Sequence, residues 1–152
     1  MSPTALHALR EQRLTICERW TALLRVEPVN SPLALPDALV HLIPDSVEQV
    51  LRELERPGDG RLTLGAAHKV PVPVCGCNRN PYLAYFKAGE QALLETLVLE
   101  QAKMDPSQRR ESDLAQLIRA TRSLAAAEID TFCGVCTHHA EGENCRFQES
   151  VN

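Results

Sequence analysis

Two short cysteine pairs, Cys75-Gly76-Cys77 and Cys133-Gly134-Val135-Cys136, are the residues of this 152-residue chain best suited to chemistry. Each pair can chelate one ion. Together Cys75, Cys77, Cys133 and Cys136 supply the four thiolates that structural zinc takes in tetrahedral geometry, with no position left open for a substrate. The Cys-x-x-Cys spacing is common in metal knuckles, and Cys-x-Cys is less so. Gly76 and Gly134 tolerate the backbone angles that turn two neighbouring sulfurs toward one ion. Four thiolates around a divalent cation leave about two negative charges, which the start of the following helix, Lys69 and Arg79 would offset.

Further ligands lie close by in sequence. Cys145, His68, His138 and His139 form a second tier, and Cys133, Cys136 and Cys145 together spell Cys-x2-Cys-x8-Cys. That third thiol keeps an iron–sulfur cluster open as the alternative to zinc, because cysteine-only ligation suits both. The histidines read first as solvated loop residues, since four thiolates already satisfy zinc. Covalent haem attachment is excluded because Thr137 separates Cys136 from His138. A thioredoxin-like dithiol is excluded because no strand-helix-strand unit surrounds the pair. Glu90, Glu95, Glu100, Glu128 and Asp130 read as solvated helix faces, with no Glu-x-x-His pair to suggest a di-iron bundle. No phosphate loop or serine nucleophile motif occurs, so the expectation is a binding protein rather than an enzyme.

For the pairs to meet, helices must carry them. Four helical segments are predicted. Ser2-Pro3 opens the first, with Leu6, Leu9, Ile16, Trp20, Leu23 and Leu24 at helical spacing to about Val26. Cys17 lies on that face and reads as a small buried hydrophobe. The second spans about residues 37–56, broken or bent at Pro44, with Val47, Val50, Leu51 and Leu54 as its apolar residues. The third starts at the Asn80-Pro81 cap and runs to about Lys103, carrying Tyr82, Phe86, Gly89, Leu93 and Leu97. Asp105, Pro106 and Gln108 repeat the start signal for a fourth, about residues 106–132, with Leu114, Leu117, Ile118, Leu124, Ile129 and Phe132.

The last two helices, joined by a few residues, should pack as an antiparallel hairpin. At about 1.5 Å per residue the third is roughly 34 Å long and the fourth roughly 30 to 40 Å. The end of the fourth therefore returns to the level of the start of the third. This juxtaposition brings the second cysteine pair to the first, clamping loop 68–80 and tail 133–152 to one end. The expected fold is all-α, a four-helix-type bundle or a globin-like helical domain with a cysteine-ligated metal site.

Length and 44% apolar content fit one domain with its own core. A net charge of −4 and 4% aromatic residues argue against nucleic acid and leave proteins or small molecules as the expected partners. No segment reaches the roughly 20 apolar residues of a membrane span, and no export signal is evident, so a cytoplasmic location is expected. In that compartment clustered thiols read as metal ligands before disulfides.

Glu18-Arg19-Trp20, Leu39-Val40-His41-Leu42-Ile43-Pro44, Val50-Leu51-Arg52-Glu53-Leu54 and Ala66-Ala67-His68 give roughly residues 10 to 70 a further feature. This half resembles the N-terminal sensor domains of RsbR-type regulators and related histidine kinases. The resemblance implies a globin-like helical module that passes a signal onward, often as a dimer, and so a sensory or regulatory role with a protein partner, a second copy of the chain among the candidates. It assigns no site residue.

Overall fold

The computed structural model describes residues 1–26, 36–56, 71–74 and 80–135. Among them all regular structure is helical: α1 Pro3–Glu11, α2 Arg13–Val26, α3 Pro36–Leu39, α4 Ile43–Glu55, α5 Pro81–Lys103 and α6 Glu111–Val135. Single 3-10 turns at Val40–Leu42 and Pro106–Gln108 precede α4 and α6. None of these helices is long and apolar enough to cross a membrane.

The helix starts follow local chemistry. Ser2 Oγ accepts from the Ala5 amide at 3.3 Å, with Pro3 in the first turn where no amide donor is needed. The single helix expected over residues 3–26 is two, divided at Gln12, whose backbone sits at φ −90°, ψ 12°. No proline or glycine marks the break. Hydrogen bonds continue across it, Gln12 N to Ala8 O and Ile16 N to Gln12 O, so the chain bends without losing its ladder. Pro44 falls in the first turn of α4 and separates it from α3. Arg56 ends α4 in extended backbone, as the following Pro57 favours.

Both α4 and α5 pack against α1, α2 and α6, closing a ring around one core. α4 buries a conventional stripe of Ile43, Val47, Val50, Leu51 and Leu54. In contrast, α5 buries residues on several sides, among them Tyr85, Phe86, Ala88, Ala92, Leu93 and Leu97. Trp20 lies across it. The indole Nε1–H donates to Tyr85 O at 2.8 Å, and the ring covers Gly89. Tyr85, outside the predicted stripe, is fully buried, and Ser46 of α4 accepts its hydroxyl proton at 2.9 Å.

Burial pushes the Tyr85 phenol well above the usual tyrosine range, and the Ser46 hydrogen bond acts in the opposite direction. The folded protein therefore keeps this proton while the unfolded chain releases it near pH 10. Stability is expected to fall as pH rises past about 10, by at most about 1.4 kcal/mol per pH unit from this group. Urea unfolding between pH 8 and 11 checks this. Tyr85→Phe should show a flatter decline; an identical slope in the variant would refute the assignment.

Candidate metal centre

Helices α5 and α6 form the expected hairpin, fastened at both ends. At the turn, Gln101 Nε2 donates to Arg110 O at 3.1 Å, and the Arg109 guanidinium caps α5 by donating to Ala102 O and Met104 O at 3.0–3.1 Å. Midway, Arg122 holds Glu90 through two 2.9 Å bonds. Arg19 of α2 grips Glu95 on another side of α5. Two of the carboxylates read as solvated faces are thus engaged with arginines of neighbouring helices.

At the far end Asn80 bridges the two helices. Asn80, almost fully buried, caps α5 by accepting from the Tyr82 amide at 3.0 Å. Its Nδ2 donates to Ile129 O at 3.2 Å and to Cys133 Sγ at 3.5 Å. The start of α5 and the end of α6 are therefore joined through a cysteine sulfur. Tyr82 and Phe132 close over the same end edge to face, with ring centroids 6.1 Å apart.

Of the proposed ligands, Cys133 lies within the described residues. Cys75, Cys77, Cys136, Cys145, His68, His138 and His139 lie outside them, as do Lys69 and Arg79. Among the described residues no three His, Cys, Asp or Glu side chains gather closely enough to hold a metal ion. Cys133 differs from expectation in one respect. It was placed at the start of an irregular tail, but α6 continues through it to Val135, so the sulfur projects from a helix and is buried. Gly134 is helical too, and its conformational freedom is not used there.

Covalent geometry bounds where the neighbouring cysteines lie. Two residues lie between Cys77 and Asn80, and two between Cys133 and Cys136, so chain length limits each separation to no more than about 11 Å. Sulfurs around one zinc are about 3.8 Å apart, given Zn–S bonds near 2.3 Å. The Asn80–Cys133 contact is the part of the expected arrangement that lies within the described residues. Its chemistry also suits a ligand, because a buried thiolate needs a donor, and the Asn80 amide together with the positive end of α5 provides one. Sequence reasoning found Asn80 only as a cap. An asparagine at a helix start has a spare amide NH2, and that was the available signal for a second bond.

Cys17 packs against the core, with burial raising its thiol pKa, which keeps it protonated and supports its reading as a small hydrophobe. A groove of about 500 Å³ also runs between α5 and α6, walled by Leu83, Phe86, Leu94, Ala125 and Ile129. Of its ionic groups, Glu90 pairs with Arg122 and Glu95 with Arg19. Comparisons with family models, curated proteins and solved structures returned no match.

Proposed function

We propose that this chain is a metal-binding helical protein of regulatory, sensory or interaction type, in which Cys75, Cys77, Cys133 and Cys136 hold one structural zinc ion. The observation that carries the reading is the Asn80–Cys133 contact, since it fastens the chain just after Cys77 to the helix that leads into Cys136. Bound zinc would supply no redox or acid chemistry in a closed four-thiolate set; its contribution is to couple ligand geometry to folding. The ion would clasp loop 68–80 and tail 133–152 to the open end of the hairpin, and the clasped end would present a shaped surface to a protein partner. The sensor-domain resemblance of the first half and the cytoplasmic expectation agree with such a role.

Cys145 favours a second reading, an iron–sulfur cluster that responds to oxygen or carries electrons. Metal and sulfide analysis of anaerobically purified protein separates the two. A colourless protein with about one zinc per chain supports the first. A brown protein with inorganic sulfide and visible absorbance supports the second. Protein that retains neither zinc nor iron refutes both.

A further inference from the structure

The groove between α5 and α6 has the dimensions and the chemistry of a ligand site. Its volume of about 500 Å³ lies inside the roughly 300–1,000 Å³ of small-molecule pockets. It follows α5 from Leu83 to Leu94 for about 16 Å and α6 from Thr121 to Ile129 for about 12 Å, at about 1.5 Å per residue. Phe86, Ala125 and Ile129 are almost fully buried, so the floor of the groove is shielded from water. Leu83 and Leu94 are half-buried along its sides, and the exposed Val72 adds an apolar lip.

The polar groups along it are committed to the protein. Among the described residues its ionic side chains are Lys87, Glu90, Glu95 and Arg122, whose charges sum to zero. Arg122 holds Glu90 through both carboxylate oxygens, and Arg19, outside the groove, holds Glu95 in the same two-pronged way. The buried Thr121 hydroxyl donates to Leu117 O at 3.0 Å. A charged ligand would give up its water shell on this floor with no opposite charge left over to meet it, a cost that an uncharged molecule avoids. An uncharged ligand gains instead from burial of its hydrocarbon surface.

We infer that the groove between α5 and α6 binds an uncharged, elongated, largely apolar small molecule of about 12–16 Å in length, held on Leu83, Phe86, Leu94, Ala125 and Ile129. The site goes beyond the metal-binding reading and does not depend on it. Trp20, the chain's only tryptophan, is placed to report on it, because its ring lies 6.2 Å from that of Phe86 in the groove floor.

The full-length chain is titrated with N-phenylnaphthylamine, an uncharged probe that absorbs where tryptophan emits, and separately with anilinonaphthalene sulfonate, which carries a negative charge on the same ring skeleton. The expected result is saturable loss of Trp20 emission at about one uncharged probe per chain, with an affinity at least about tenfold above that of the sulfonate. Ala125→Leu extends a side chain into the groove and should weaken the uncharged probe at least about tenfold. Its urea midpoint should be unchanged or higher, because the added carbons enter groove volume instead of packed atoms. Leu83→Glu, at a half-buried position, sets an unpaired charge on the wall and should weaken the probe as well; it decides the matter if Ala125→Leu does not fold. Absence of saturable binding, equal affinity for the two probes, or affinity unchanged in a folded variant would overturn the inference. Probe affinity that falls as protein concentration rises would put a second copy of the chain in the groove and overturn it too.

Discussion

Replacing Trp20 with alanine is expected to lower the unfolding free energy by about 3–5 kcal/mol, the range for deleting a large buried aromatic side chain. Trp20 is fully buried, stacks against Tyr85 at 4.9 Å and approaches Phe86 at 6.2 Å between ring centroids. Gly89 gives the sharper test because two effects oppose there. Alanine in place of a mid-helix glycine should add about 1 kcal/mol of stability from propensity. A β-carbon at position 89, however, would lie 2.2 Å from Trp20 Cζ2 and 2.5 Å from Cε2. The indole cannot yield cheaply, since its N–H is bonded to Tyr85 O and its ring is held among aromatics. Overpacking costs about 1–3 kcal/mol, so the net sign for Gly89→Ala should be destabilising. Urea midpoints at unchanged m-value measure both variants. A Gly89→Ala protein as stable as the parent would sink this account of the core.

Cys133→Ser is expected to abolish stoichiometric metal retention and the response of thermal stability to chelator. On the proposed zinc reading, metal at a thousandfold excess over its dissociation constant would add about 4 kcal/mol to the parent chain, and a chelator would remove it. The variant should melt at one temperature with or without chelator. Serine keeps a small polar group beside Asn80, so the metal-free variant should stay close to the metal-free parent. Cys17→Ser is the control, since Cys17 lies on α2, outside the hairpin that carries Cys133; it should leave metal content unchanged. Parent protein whose melting temperature ignores chelator would contradict a structural ion.

Cap chemistry was legible wherever it acts alone. Asn80-Pro81 predicts the start of α5 and Lys103 its end, and both stand. The similar Asp105-Pro106 signal was satisfied more briefly. Asp105 does cap, accepting from the Ser107 amide at 2.8 Å, but one 3-10 turn results and α6 begins at Glu111 rather than near 106. Arg109 explains the difference. Its backbone is extended, at φ −74°, ψ 126°, and its guanidinium is used on the carbonyls that end α5. A demand from the preceding helix outweighs the local start signal.

Other features were hidden because they are tertiary. Asn80 on Cys133 joins positions 53 residues apart, and Trp20 on Tyr85 joins positions 65 apart. Periodicity marks which residues face inward, not which of them touch. Glu90 and Arg122 likewise reveal their pairing only once the hairpin register is set. The cysteine pattern was legible as chemistry from spacing alone. The helix that carries Cys133 past its expected end was not, because glycine and β-branched residues at 134 and 135 weaken a helical signal.

The breadth of burial around α5 has a consequence for how the chain is made. When synthesis has reached residue 56, the segments of α1 and α2 carry apolar faces whose main counterpart, α5, is still untranslated. The parts of α1 and α2 that α5 covers stay open until the segment from Pro81 emerges, and during that interval they are accessible to chaperones and to neighbouring nascent chains. Slowing elongation just before codon 81 should therefore reduce the yield of soluble product more than the same pause placed after α5 is complete.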